Sequence, residues 1–201
     1  MANGPGSSDQ HSLGFRGQGP AQSFLMGSAD MILVILGGLF LALCLFAALH
    51  DVNSLTIPNW LNLVLAGLFI PAAAFSGLPM EIIFGHVLAG LAAFVIAFGL
   101  FAFRIFGGGD AKMIPAVMLW VGPSASLQFI FAMALVGGLC AMIIVLVRNT
   151  IPAAVVPGPI RAPFEEKAGV PYGVAIAAGA FFASPASPIL SQTLRSAGVI
   201  G

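Results

Sequence analysis

The chain has 201 residues, of which 59% are hydrophobic and only 7% are charged, and its formal net charge is zero. This composition is typical of a chain solvated by a bilayer, and it excludes an ordinary soluble domain. The balanced charge also excludes nucleic acid as a partner, because nucleic-acid binding requires clustered positive charge. The two cysteines, Cys44 and Cys140, lie in apolar runs without a CxxC spacing. We therefore expect no metal site, no disulfide framework and no cofactor.

Three transmembrane helices are predicted in the first half of the chain. Residues 1–30 are rich in Gly, Ser and Gln, which predicts a disordered tail, either native or left over from expression. The first helix runs from Met31 to Leu49, an uncharged stretch long enough to cross ~30 Å of hydrocarbon at ~1.5 Å per residue. The second begins at Pro58 and ends near Ser76, and the third runs from about Ile82 to Phe103.

The next uncharged run, Met113–Val147, is too long for one span and short for two. We divide it at Gly122-Pro123-Ser124, which gives a short fourth helix from about Asp110 to Val121 and a fifth from about Leu127 to Val147. A sixth helix is predicted at roughly Val170–Leu190. The fold class is therefore an all-α polytopic membrane protein with about six transmembrane helices, the fourth of them short.

The predicted membrane-embedded domain spans residues 31–194, and residues 195–201 form a short tail. Basic residues collect in cytoplasmic loops. The loops after the second and fourth helices hold no Lys or Arg. The loops after the third and fifth helices hold five such residues: Arg104, Lys112, Arg148, Arg161 and Lys167. This asymmetry predicts a multi-pass protein with both termini outside and the loops after helices 1, 3 and 5 in the cytoplasm.

The acidic residues between Met31 and Val147 are Asp51, Glu81 and Asp110. Asp51 follows the first helix and Asp110 opens the fourth, so both carboxylates are expected at one membrane face. Two adjacent aspartates share a proton, so one can act as a general base on water while the other polarises a carbonyl. The alternative is structural: Asp110 caps a helix and Asp51 is an ordinary interfacial acid.

Three consecutive glycines, Gly107, Gly108 and Gly109, precede Asp110. They allow close backbone approach and positive φ, as an extended peptide lying beside the loop would require. A phosphate-binding loop is excluded, because no GxxxxGK[ST] pattern is present. A simple flexible linker is the alternative interpretation.

These residues resemble a known family. The segment GGGDAKM matches the GxGD signature of membrane aspartyl proteases, and DVNSLTIPN matches the Asp, six residues, Ile-Pro-Asn pattern of type IV prepilin peptidases. Further along, Trp120-Val121-Gly122 and Pro171-Tyr172-Gly173 are similar to the small tight-adherence (Flp pilus) branch. The resemblance covers roughly residues 31–185.

The resemblance implies that Asp51 and Asp110 are a catalytic pair that cuts a prepilin leader after a glycine, in the bacterial inner membrane and on its cytoplasmic side. It also implies residues that bind substrate or shape the loops: Gly107, Gly109, Lys112, Pro58 and Asn59. The larger members carry a cysteine-bearing insertion associated with N-methylation, which this chain lacks. We therefore do not expect methyl transfer.

Two other classes of function stay open at this stage. A small proton or cation transporter would place acidic residues at mid-membrane depth along a polar path. A non-catalytic subunit of a pilus or secretion assembly would leave both aspartates dispensable. The sequence does not indicate the oligomeric state.

Overall fold

The computed structural model describes residues 20–150, 152, 155–165 and 168–200. Every regular element within these ranges is helical, and none of the described residues belongs to a strand. This confirms the all-α class. The α-helices are α1 (Pro20–Ser54), α2 (Asn59–Phe75), α3 (Met80–Ala102), α4 (Gly108–Thr150), α5 (Tyr172–Ala183) and α6 (Pro188–Ser196), with short 3₁₀ turns at Gly158–Ile160, Ala162–Phe164 and Ser184–Ala186.

Within the described residues, α1, α3 and α4 are long and apolar enough to cross a membrane, and α5 with α6 makes a fourth span if the bent pair is counted as one. α2 is apolar but has only 17 residues. Large hydrophobic side chains project outwards along the long helices, as expected for surfaces solvated by lipid.

α4 is a helical hairpin. Its 43 residues would rise about 65 Å if straight, but Gly122 has φ 70° and ψ 177° and breaks the helix there. The first half runs parallel to α5. Phe106, just before its start, contacts Tyr172 at the start of α5, and Trp120, near its end, bonds to Ser187 just beyond the end of α5. The second half runs antiparallel to α5. Its contacts pair Gly137 with Tyr172 and, further along α5, Phe129 with Gly179.

The predicted division of the long apolar run at Gly122 is therefore confirmed. The conformation needs glycine, since a β-carbon there would lie 2.5 Å from the His86 ring and φ is positive. Counting the halves of α4 separately, the helices form six segments, of which the second and the fourth are short and the last is bent.

Two helix boundaries differ from prediction. α1 begins at Pro20 rather than Met31, so residues 20–30 of the predicted tail are helical, while residues 1–19 lie outside the described part of the chain. α1 also continues past Leu49 to Ser54. The side chains of Asn53 and Ser54 donate to the carbonyls of the last turn, at 3.0 and 2.8 Å, which stabilises this extension.

The predicted sixth helix is broken. α5 ends at Ala183 and α6 begins at Pro188, with a bend of 77° between them. Pro188 cannot continue a preceding helix, and Ser187 caps the new one by accepting a hydrogen bond from the Leu190 N–H. α6 extends to Ser196, so the tail predicted from residue 195 begins inside a helix.

The core is organised around Trp120 in the first half of α4. Its ring stacks on Phe40 of α1 with centroids 4.5 Å apart and meets the edge of Phe69 of α2. Its indole N–H donates to the carbonyl of Leu65 at 2.8 Å. Through these contacts α1 and α2 pack against the first half of α4 at the position of Trp120.

The helix directions place the end of α1 and the starts of α2, α4 and α5 at one end of the bundle. We call this the aspartate end, because it holds Asp51 in the last turn of α1 and Asp110 in the first turn of α4. The opposite end holds the α2–α3 connection and Gly122.

Candidate active site

Asp51 is anchored to the beginning of α5. Its side chain is only 4% exposed, and its Oδ2 accepts a hydrogen bond from the backbone N–H of Gly173 at 2.7 Å. A β-carbon on Gly173 would lie 2.9 Å from the β-carbon of Asp51. Glycine is therefore required for this approach, and its N–H, one of those left free in the first turn of α5, stabilises the carboxylate.

Asp110 is held by its own loop. It is the third residue of α4 and is half-buried, and its carboxylate lies close enough to the backbone N–H of Gly107 to be stabilised by it. Gly107 also accepts the first helical bond, from the N–H of Ala111 at 3.0 Å. Gly107 therefore occupies the cap position, and Asp110 lies three positions inside the helix rather than at the N-cap. Its side chain instead reaches back to the cap from within the first turn.

The two carboxylates lie close enough to interact electrostatically. They come from helices separated by α2 and α3 in the chain, and the round trip of those two helices returns the chain to the same end of the bundle. Asp51 thus has the Gly173 N–H as a donor, and Asp110 has the Gly107 N–H beside it. Each aspartate has the other as a charged neighbour.

The glycine run is shaped by close packing rather than by positive φ. Positive φ among the described glycines occurs at Gly77, Gly122 and Gly198 and not in this run. Of the two properties that the sequence allowed for the run, close approach and positive φ, only close approach is found.

The three glycines of the run have different neighbours. A β-carbon on Gly107 would lie 2.9 Å from Oδ2 of Asp110, and one on Gly109 would lie 3.1 Å from the backbone nitrogen of Ile57. A β-carbon on Gly108 would meet only the edge of the Phe101 ring, at 3.4 Å. The first and third positions are therefore tight and the second is not.

The Ile-Pro-Asn segment packs directly on this loop. Ile57 contacts Gly109, and Asn59 accepts a hydrogen bond from the ammonium of Lys112 at 2.8 Å. Pro58 stands between them as the residue that precedes α2, with φ −60° and ψ 137°. The structure thus brings the two motifs together at two points, although more than fifty residues separate them.

Two residues that contact the candidate site were not predicted from the sequence. Gly173 binds Asp51, and Tyr172 packs edge-on against Phe106, with ring centroids 5.5 Å apart. The Pro-Tyr-Gly sequence at the start of α5 was the available signal, but it indicated a family resemblance and no contact with Asp51.

The loop between α1 and α2 is also internally braced. His50 Nδ1 lies 2.8 Å from the carbonyl of Thr56, and the Ser54 hydroxyl bonds to both the His50 and Thr56 side chains at 2.9 and 2.8 Å. These bonds fix the short connection from Asp51 to Ile57. Among the residues that the structure describes, no group of three or more His, Cys, Asp or Glu side chains is arranged to hold a metal ion.

Comparison with known proteins identifies the family. A search of curated proteins found no significant match, and a search of solved structures found none either. The model of the type IV leader peptidase family matches residues 38–142, a range that contains both aspartates and both motifs. Because this match covers more than half of the 201 residues, the chain belongs to the type IV leader peptidase family.

Proposed function

We propose that this chain is an aspartyl endopeptidase that removes the leader of Flp-type type IV prepilins, with Asp51 and Asp110 as its catalytic pair. The observation that carries the proposal is the electrostatic interaction of two partly or fully buried carboxylates at one end of the bundle, each with a glycine backbone N–H beside it. Membership of a peptidase family supports the reaction type. Gly107, Gly109, Pro58, Asn59 and Lys112 are proposed to shape and position this pair.

The proposed chemistry uses one proton shared between the aspartates. The ionised carboxylate takes a proton from a water molecule, and the oxygen of that water attacks the carbonyl carbon of the scissile peptide bond. The protonated partner donates to the carbonyl oxygen as negative charge develops there. When the C–N bond breaks, the leaving nitrogen receives the proton, and the pair returns to its singly protonated state.

The proposed orientation puts the aspartate end in the cytoplasm of a bacterium, with the helices in the inner membrane. The described basic residues at or beyond that end support this orientation by the positive-inside rule: Arg104, Lys112, Arg148 and Arg161. Arg148 donates to the carbonyls of Pro163 and Ala168 and so braces the loop that follows α4.

Transport is the weaker alternative. A proton or cation path would need acidic side chains near the middle of the bundle. The acids closest to each other are instead at one end, and the large core side chains at the centre are aromatic or aliphatic, such as Trp120, Phe40 and Phe129. A non-catalytic assembly subunit would not need the glycine contacts that hold both carboxylates.

Incubation of the purified protein in detergent with a Flp-type prepilin tests the function directly. We expect release of the leader and a new amino terminus immediately after a glycine, identified by mass spectrometry of both products. Release that is abolished by chelators alone, or no release from any prepilin tested in a protein that is correctly folded, would contradict the proposal.

A further inference from the structure

One aromatic contact joins the two segments that stabilise the aspartates. Asp51 accepts a hydrogen bond at 2.7 Å from the backbone N–H of Gly173, in the first turn of α5. Tyr172 is the residue before Gly173, and its ring packs edge-on against Phe106, with centroids 5.5 Å apart and planes inclined at 61°. The contact therefore links the start of α5 to the loop that precedes α4.

Both rings of this contact are one peptide group away from an N–H that faces an aspartate. The N–H of Gly107, which lies beside the Asp110 carboxylate, belongs to the peptide group that joins Gly107 to Phe106. In the same way the N–H of Gly173 belongs to the peptide group that joins it to Tyr172. Because a peptide group is planar and rigid, a displacement of either ring also displaces the N–H that follows it.

The Tyr172 ring has a second support on α4. A β-carbon on Gly137, in the second half of that helix, would lie 3.4 Å from Cε1 of the ring, so the ring lies close to the helix backbone. Gly137 is buried and Tyr172 is half-buried. Both contacts of the tyrosine are made by ring carbons. The ring rather than the hydroxyl therefore places the start of α5 against α4 and the loop before it.

We infer that Tyr172 is a positioning residue: its ring, through the contact with Phe106, sets the distance between the carboxylates of Asp51 and Asp110. The inference rests on the proposed function and adds to it a residue that acts through its neighbours. The distance matters because two carboxylates share a proton only when the charge of each acts on the other. That electrostatic interaction is present in this structure.

The kinetics of prepilin cleavage by three variants test the inference. Tyr172→Leu removes the ring, Tyr172→Phe keeps it, and Phe182→Leu is the control, at a 64% exposed aromatic residue near the end of the same helix. For Tyr172→Leu we expect kcat to fall about tenfold with KM within about twofold, because a displaced catalytic group slows the chemical step more than it weakens binding. Tyr172→Phe and Phe182→Leu should both cleave like the wild type.

The pH dependence of kcat/KM distinguishes positioning from a general loss of structure. The proposed pair is active when singly protonated, and the pH range of that state widens as the two carboxylates interact more strongly. Loss of the contact lets the carboxylates move apart, so the bell-shaped profile of Tyr172→Leu should be narrower than that of the wild type. Partial unfolding would lower the bell without narrowing it. The nearest titratable groups in the chain, His50 beside Asp51 and Lys112 beyond Asp110, are unchanged in every variant.

A double-mutant cycle tests the contact between the rings. Phe106→Leu removes the second ring from a loop rather than from a helix, and it gives the same kinetic and pH measurements if Tyr172→Leu does not purify as a folded protein. We expect Phe106→Leu to lower kcat by about the same factor as Tyr172→Leu. The double variant should be about as active as the weaker single variant, because the shared contact can be lost only once.

Four results would overturn the inference. The first is a wild-type kcat in Tyr172→Leu, and the second is an equal loss in Tyr172→Phe, which would assign the effect to the hydroxyl. The third is a bell of unchanged width in a variant of lower thermal stability, which would show a role in folding alone. The fourth is strictly multiplicative losses in the double variant. In each case leader release by the wild type would still stand, so failure of the inference is distinct from failure of the proposed function.

Discussion

Gly109 lies against Ile57 so closely that a β-carbon on the glycine would be 3.1 Å from the isoleucine backbone nitrogen. This contact joins the loop before Asp110 to the segment that follows Asp51. The neighbour is backbone, which cannot swing aside as the end of a flexible side chain can. The position of Asp110 therefore depends on the segment that follows Asp51.

Alanine substitutions in the glycine run should separate the three positions. Gly109→Ala pushes on Ile57, and Gly107→Ala pushes on the Asp110 carboxylate at 2.9 Å. A small displacement of a catalytic group can cost ~100-fold, so we expect both variants to lose most of their kcat/KM. Gly108→Ala should keep most of it, because it meets only the Phe101 ring edge at 3.4 Å.

Leader release and thermal unfolding, measured in detergent on all three variants, check this prediction. Gly107→Ala should lose activity without losing stability, because the displaced group is a side chain. Equal activity across the series would show that the run serves only as a flexible linker.

The contact between Gly173 and Asp51 should be equally sensitive. Gly173→Ala would bring a methyl group 3.0 Å from Oδ2 of Asp51 and disturb the hydrogen bond at 2.7 Å. We expect at least a tenfold loss of kcat/KM, since the carboxylate must shift. Gly169→Ala is the matched control, because no described atom outside its chain neighbours lies within 4 Å of its added carbon. Full activity of Gly173→Ala would mean that α5 does not orient Asp51.

The hydrogen bond between Lys112 and Asn59 can be measured by a double-mutant cycle. Lys112→Met and Asn59→Ala each remove one partner of the 2.8 Å bond. Because the second substitution has little left to remove, the double variant should lose less kcat/KM than the product of the single losses, with a coupling of about 1 kcal/mol. Strictly multiplicative losses would show that the bond does not contribute to activity.

The proposed orientation predicts the side of the membrane from which each end of the bundle can be labelled. With Cys44 and Cys140 changed to serine, a cysteine at Asn53 or Gly158 should react with a reagent confined to the cytoplasm. A cysteine at Met80 should react only from outside, because it begins α3 at the opposite end. All three positions are exposed. Labelling of Asn53 and Met80 from the same side would contradict the arrangement.

The sequence was sufficient for the helical class, the break at Gly122 and the expectation that Asp51 and Asp110 share one end. These depend on the length of apolar runs and on local residue chemistry, which sequence records directly. Helix ends were less predictable, because Asn53 and Ser54 extend α1 through side-chain bonds to its last carbonyls.

Contacts between helices could not be predicted. In a membrane helix every face is apolar, so periodicity does not indicate which face packs. The bond from Gly173 to Asp51 joins residues 122 positions apart, and nothing in either local sequence indicates it.

Replacement of each aspartate by asparagine tests the central claim most directly. Asp51→Asn and Asp110→Asn keep the side-chain volume but cannot share the catalytic proton. Leader release from a Flp-type prepilin should fall at least 1000-fold in each variant, and both should purify and unfold thermally like the wild type. Near-wild-type release by either well-folded variant would show that Asp51 and Asp110 are not a catalytic pair.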